Sequence, residues 1–154
     1  MTTQLSLVFL KPDCLQRGLI GEVISRFERK GLKVVAMKML KITSELSKKH
    51  YAHLTSKPFY PDLEKFVTAY PVVAMVIEGN EAVEVLRGML GPTNSRKAPS
   101  GTIRGDLSMS TSRNIIHASD SVETAVKEIA NFFKKEEIYS YKLVNEEFLY
   151  ASDE

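Results

Sequence analysis

Val72-Val-Ala-Met-Val-Ile77 is the stretch from which the architecture of this chain follows. Six consecutive apolar residues, four of them β-branched, read as a short buried strand. Immediately downstream, Ala82, Val83, Leu86, Met89 and Leu90 recur at helical spacing and stop at Gly91, the usual C-terminal signal. Upstream, Leu63, Phe66 and Val67 predict a short helix, and Phe59-Tyr60 between Pro58 and Pro61 predicts a turn with an exposed aromatic pair. Ser44–Leu54 has a capping residue and no breaker, so it predicts a helix, and Leu32–Leu40 predicts a strand rich in β-branched residues. Ile20, Val23, Ile24 and Phe27 form a helical stripe closed by Arg29-Lys30-Gly31. Leu5–Leu10 predicts a first strand, stopped where Pro12 has no N–H to give to a ladder.

Beyond Gly91 the periodicity disappears. Residues 92–113 are dominated by Pro, Gly, Ser, Thr, Arg and Lys, and a loop of that length in a compact domain is usually functional. Asn114–Ala118 predicts a short strand. Asp120 with Glu123 predicts a capping box for a helix whose apolar face is Val122, Val126, Ile129 and Phe133. The tail carries Tyr139, Tyr141, Phe148 and Tyr150 and is expected to pack on something. The order predicts an α+β, ferredoxin-like βαββαβ fold: a four-stranded antiparallel sheet covered by helices on one face, with a long loop between residues 92 and 113. No linker or internal repeat divides residues 1–154, so one domain is expected.

Composition excludes several classes. The 154 residues are 44% hydrophobic and 26% charged, which is ordinary globular composition. Lys plus Arg is 21 and Asp plus Glu is 19, a net charge of +2, too balanced to make nucleic acid the expected main partner. One cysteine, Cys14, excludes an internal disulfide or a Cys-rich zinc site. No signal-peptide pattern opens the chain, and no apolar run approaches the roughly 18 residues of a membrane span. A cytoplasmic protein with no membrane partner is expected.

The chemistry is expected in the loops. There is no G-x-x-x-x-G-K-[ST] and no G-x-G-x-x-G. Gly18-Leu-Ile-Gly21 matches the GXXG of an RNA-binding loop only weakly, and a helix start suits its apolar centre better. His50 and His53 share a predicted helix at i, i+3, and a solvated face or one core histidine is favoured over a metal site. His117 sits between an apolar strand and a capped helix, followed by small residues, where either a phosphate site or a buried structural histidine fits. Lys11, Arg87, Thr93, Arg104 and Asn114 supply the fixed charge and neutral donors that triphosphate binding needs. Gly101-Thr-Ile-Arg-Gly-Asp106 sets an arginine between glycines that let backbone approach a ligand.

Several of these stretches resemble the nucleoside diphosphate kinase family. They are Lys11-Pro-Asp13, Gln16–Glu22, Arg26–Gly31, Lys49-His-Tyr51, Pro58-Phe59, Pro71–Met75, Gly101–Asp106 and Arg113-Asn-Ile-Ile-His-Ala-Ser-Asp-Ser121. The resemblance implies ping-pong transfer of a γ-phosphate from a nucleoside triphosphate, typically ATP, to a nucleoside diphosphate. By carry-over, His117 would become a phosphohistidine and Glu128 would orient its ring, with Ser119 bonding near Glu128. Lys11 and Asn114 would hold the ribose hydroxyls, Lys11 would also meet the moving phosphoryl, and Tyr51 would sit beside it. Arg87, Thr93 and Arg104 would bind phosphates. Phe59 would stack on the base with Leu63 nearby. The resemblance further implies Mg²⁺ arriving with the nucleotide, without direct side-chain ligation, and a homo-oligomer, with a hexamer favoured over a tetramer or dimer. Departures are Cys14 in place of a usual Gly, and Ser95 and Ser100 in place of prolines with Arg96-Lys97 between them, in a loop that usually packs at a subunit contact.

Overall fold

The computed structural model describes residues 2–154. Four strands, β1 (Thr3–Leu10), β2 (Lys33–Leu40), β3 (Val72–Asn80) and β4 (Ile116–Ala118), form one sheet in the order β2-β3-β1-β4. All three pairings are antiparallel, and the register sets Phe9 opposite His117 and Leu10 opposite both Val73 and Ile116. The βαββαβ core is thus as expected, with helices α1 (Pro12–Gln16), α2 (Ile20–Lys30), α3 (Ser44–His50), α4 (Tyr60–Ala69), α5 (Ala82–Leu90), α6 (Ile103–Leu107) and α7 (Val122–Phe132).

The helices cover both faces of the sheet, not one. Leu7, Phe9, Val72, Ala74 and Val76 pack with residues of α4 and α7. Val8, Leu10, Val73, Met75 and Ile77 pack on the other side with α2, α5 and α6. The reason lies in the unbroken apolar run Val72–Ile77. Successive strand residues face opposite ways, so an unbroken apolar run leaves an apolar set on each face, and each set needs a helical layer.

Other differences are local. Pro12 ends β1 as expected, but it also starts α1, where its missing N–H costs nothing. The predicted helix 44–54 is α3 followed by a 3₁₀ turn at Ala52–Leu54. The loop 92–113 contains a 3₁₀ turn at Ser95–Lys97 and the short helix α6, capped by the Thr102 hydroxyl on the Gly105 N–H at 3.0 Å. Single turns are too short to leave a periodic signature. The expected strand at Asn114–Ala118 is shorter, beginning at Ile116.

At α7 the cap is Ser121, whose hydroxyl accepts from Thr124 N–H at 3.1 Å; Asp120 lies outside the helix. Its buried residues are Ala125, Glu128, Ile129 and Phe132, while Val122 and Val126 are exposed. The expected apolar face was therefore rotated, because the true inner face carries a carboxylate. The tail bonds to its own chain, Tyr139 N–H donating to Val35 O and the Tyr141 hydroxyl to Val34 O along the outer edge of β2, but the expected packing of its aromatics is incomplete: the Tyr139 and Phe148 side chains are exposed. Gly31 ends α2 with φ of 95°, in the left-handed region.

Candidate active site

The site is assembled where the C-terminal end of β1, β4 and the N-terminus of α7 meet. Phe9 and His117 are register partners, and their rings stack with centroids 5.0 Å apart. Glu128 lies two turns into α7, where the same face that buries Ala125 and Ile129 carries it under the sheet. Its Oε2 is 2.9 Å from His117 Nε2 and 3.2 Å from His50 Nδ1. Glu128 and His50 are buried, whereas the His117 side chain keeps 22% of its surface exposed. The carboxylate occupies Nε2, so Nδ1 is the ring nitrogen left to the cleft. Ser119 lies at the same level: its N–H donates to Leu7 O and its hydroxyl accepts from Leu7 N–H at 3.1 Å, pinning β4 to β1.

The backbone that delivers His117 is tightly held. Ile115 has φ of 77°, a left-handed conformation rare for a β-branched residue. Three contacts hold it there: Lys11 N–H donates to Ile115 O at 2.8 Å, Asp13 Oδ2 accepts from Ile115 N–H at 3.0 Å, and the side chain is fully buried.

Lys11 and Asn114 meet directly, Nζ donating to Oδ1 at 2.7 Å. Asn114 Nδ2 donates in turn to Thr93 O and Thr111 O, at 3.0 and 2.9 Å, drawing the long loop onto the site. Arg104 is buried and donates to three carbonyls, those of Asn114, Gly91 and Ile116, so three of its five N–H groups are committed to shaping the cleft wall. Gly105 is required beside it, since a Cβ there would lie 2.0 Å from Pro99 O. Arg87 reaches from the last turn of α5 to Ala118 O at 3.5 Å.

These cations repel one another. Burial, then Arg104, lowers the Lys11 pKa to about 8; burial and Arg87 lower that of Arg104 to about 10. Burial, Lys11, Arg87 and Arg104 together hold the His117 pKa down to about 3, so the ring is neutral at physiological pH. Burial raises the Glu128 carboxyl, opposed by His50 and by hydrogen bonding from Ser119. A neutral imidazole thus faces an excess of fixed positive charge, an arrangement that a polyanion completes.

Tyr51 packs edge-on to His50, with centroids 4.5 Å apart, and its buried hydroxyl has no hydrogen-bond partner among the described residues. Phe59 is 53% exposed at the start of α4, with Leu63 half-buried one turn later; Tyr60, its predicted exposed companion, is buried instead and bonds Ser47 at 2.9 Å. Arg113 stacks over Phe66 at 5.0 Å and so ties the end of the long loop to α4. Phe59 is the N-cap residue of that helix and Leu63 lies in its first turn.

His50 is the site residue that the sequence reading passed over. Its partner at i, i+3 is not on the same surface, because α3 ends between them and His53 is exposed. The usable signal was the pair Leu46 and His50 at i, i+4, which puts the histidine on the core side of α3.

Comparison with known proteins places the chain among relatives of one family. A family model described as nucleoside diphosphate kinase matches residues 4–138. A nucleoside diphosphate kinase of Rhodopirellula baltica is 55% identical over 98% of this chain and 99% of its own. Among solved structures, the halophilic nucleoside diphosphate kinase of Halobacterium salinarum in complex with CDP superposes with a TM-score of 0.94 at 40% identity, covering 97% of this chain and 99% of that one. The Borrelia burgdorferi enzyme, solved as a transition-state mimic with vanadate and ADP, gives 0.89 at 43% identity, covering 94% and 95%.

Proposed function

Because the chain belongs to the nucleoside diphosphate kinase family, and is a phosphotransferase acting on nucleotides, we propose that His117 is the residue that carries the phosphoryl group between them. The supporting observation is a neutral imidazole with Nε2 against a buried carboxylate and three mutually repelling cations around it. In the first half-reaction the lone pair of His117 Nδ1 attacks the γ-phosphorus, the bond to the bridging oxygen breaks, and the nucleoside diphosphate leaves with that oxygen. The ring then holds phosphorus on Nδ1 and a proton on Nε2, and the positive charge it gains is offset by Glu128 at 2.9 Å. The second half-reaction is the reverse, with a different diphosphate as acceptor.

Lys11 sits between the ribose and the moving phosphoryl, Asn114 shares the ribose, and Tyr51 closes the site beside the nucleophile. Arg87, Thr93 and the two uncommitted N–H groups of Arg104 bind the phosphates. Ser119 fixes β4 and Glu128 together. Phe59 supplies an exposed face for the base, with Leu63 beneath it; stacking accepts any base, so broad nucleotide tolerance is expected. Phosphoryl transfer needs little beyond such positioning and charge.

Enzymes of this family generally use a divalent metal. Among the described residues the one cluster of potential ligands is His50, His117 and Glu128, and two imidazoles do not suit Mg²⁺, which prefers oxygen donors. Mg²⁺ is therefore read as the companion of the nucleotide, held by phosphates and water. The whole of residues 1–154 is read as one catalytic domain, working in the cytoplasm as a homo-oligomer. Among the described residues no helix is long and apolar enough to cross a membrane.

The test is a trapped phosphoenzyme. Protein mixed with γ-labelled ATP and Mg²⁺, without acceptor, should carry label that is stable to alkali, labile to acid, released as GTP on adding GDP, and absent in His117→Ala. A folded, nucleotide-binding protein that takes up no label would overturn the assignment.

A further inference from the structure

His50 has no part in the transfer just described, yet it is buried against the same carboxylate as the nucleophile. Three atoms at that point lack a hydrogen-bond partner among the described residues: His50 Nδ1, His117 Nε2 and Glu128 Oε1. Both histidine nitrogens approach Glu128 Oε2, at 3.2 and 2.9 Å, but neither contact is directed well enough to be a hydrogen bond. Buried polar atoms are normally satisfied, so an orphan on each of these three neighbouring residues needs an explanation.

One imidazole nitrogen from each histidine and a carboxylate oxygen lie within 4.8 Å of one another. Ligand atoms around a tetrahedral ion bound at about 2.0–2.2 Å are roughly 3.3–3.6 Å apart, near the 2.9 and 3.2 Å of the two contacts to the carboxylate. Two histidines and a glutamate are a donor set that zinc-class ions accept with an open fourth position. The exposure of the His117 side chain lies elsewhere on the ring, because Nε2 itself is buried. Lys11, Arg87 and Arg104 oppose a further cation, which weakens such a site without removing its donors.

We propose that His50, His117 and Glu128 form a binding site for a divalent transition-metal ion of the zinc class, and that an ion bound there switches the nucleophile off. A neutral imidazole carries one proton. When the metal takes the lone pair of His117 Nε2, the proton that sat on Nε2 moves to Nδ1. No electron or proton is gained or lost by the ring, but Nδ1 no longer has the lone pair that attacks phosphorus. Metal binding stands on the geometry alone; the inhibitory consequence rests on His117 being the phosphorylated residue. The ion does not occupy the phosphate groups' own side of the ring, so inhibition should lower phosphorylation while nucleotide binding persists.

Co²⁺ titrated into nucleotide-free protein is the test, read by the visible absorption of four- or five-coordinate cobalt. One ion per chain is expected, displaced by Zn²⁺. Binding should weaken at least about tenfold in His50→Gln and in Glu128→Gln, while His53→Gln, at an exposed position, behaves as the parent. In the unaltered protein, ¹⁵N spectra should show His117 passing from the Nε2–H to the Nδ1–H tautomer as Zn²⁺ is added. Phosphoenzyme yield from Mg-ATP should fall in step with occupancy and return once the ion is removed with EDTA, the chelator is taken away and Mg-ATP is supplied afresh. Absence of the cobalt band, or a zinc-loaded protein whose His117 keeps its Nε2 proton, would overturn the proposal even if the variants fail to fold. Metal-free protein that never takes up phosphate would instead overturn the assignment of His117 as phosphate carrier and leave the metal result standing.

Discussion

His117 and Lys11 together set the expected pH dependence. A solvated histidine loses its nucleophilic form as pH falls through about 6.5. His117, with its pKa lowered to about 3 by burial and three cations, stays neutral far below that. Its protonation should therefore leave kcat/KM flat between about pH 5 and 7, and an acid limb near 6.5 would show that the ring sees water. Lys11 works in the opposite direction. With its pKa lowered to about 8, it is charged below that value and neutral above it, so phosphate affinity should fall on the alkaline side. Steady-state profiles should show kcat/KM falling above pH 8 chiefly through KM, with the limb abolished in Lys11→Arg, whose guanidinium stays charged. Lys11, Asn114 and His117 were legible as residue types near loops. Their neutral or cationic states were not, because those depend on burial and on neighbours distant in the chain.

At the scale of the element, α7 separates two kinds of information. The helix and its extent were visible in its spacing, but the rotation about its axis was not. Periodicity counts apolar residues, and Val122 and Val126 outvoted a glutamate whose buried carboxylate lies against His50 and His117. The cap is similarly a matter of geometry. Ser121→Ala should cost about 1 kcal/mol in chemical denaturation and Asp120→Ala distinctly less, since only the Ser121 hydroxyl meets a free N–H of the first turn. Equal losses would restore Asp120 as the cap. The helix α6 shows why the loop 92–113 looked structureless: its order comes from Thr102, from the close approach of Gly105 to Pro99, and from Arg104 binding three carbonyls. None of these leaves a periodic trace.

At the scale of the molecule, the sheet leaves β2 at its outer edge, with Met37 57% and Met39 62% exposed on it. The chain after α7 bonds along that edge at Lys33, Val34, Val35 and Lys38 but leaves the Met37 and Met39 side chains open. An uncovered apolar edge strand is a surface for association, so light scattering should give a mass several times that of one chain, and Met37→Lys/Met39→Lys should lower it. A single sharp monomer mass for the unaltered protein would remove the homo-oligomer from the reading. The apolar runs at Leu5–Leu10 and Val72–Ile77, the helical stripes between them and the glycine stops were enough to determine strands, helices and their order. Such features are local, and adjacent residues impose them. Only the tertiary structure decided that helices cover both faces, that α7 turns Glu128 inward and that His50 joins His117. Those outcomes depend on which surfaces remain to be buried once the sheet has closed, and on polar groups brought within a few ångströms though more than a hundred positions apart, as Lys11 and Asn114 are.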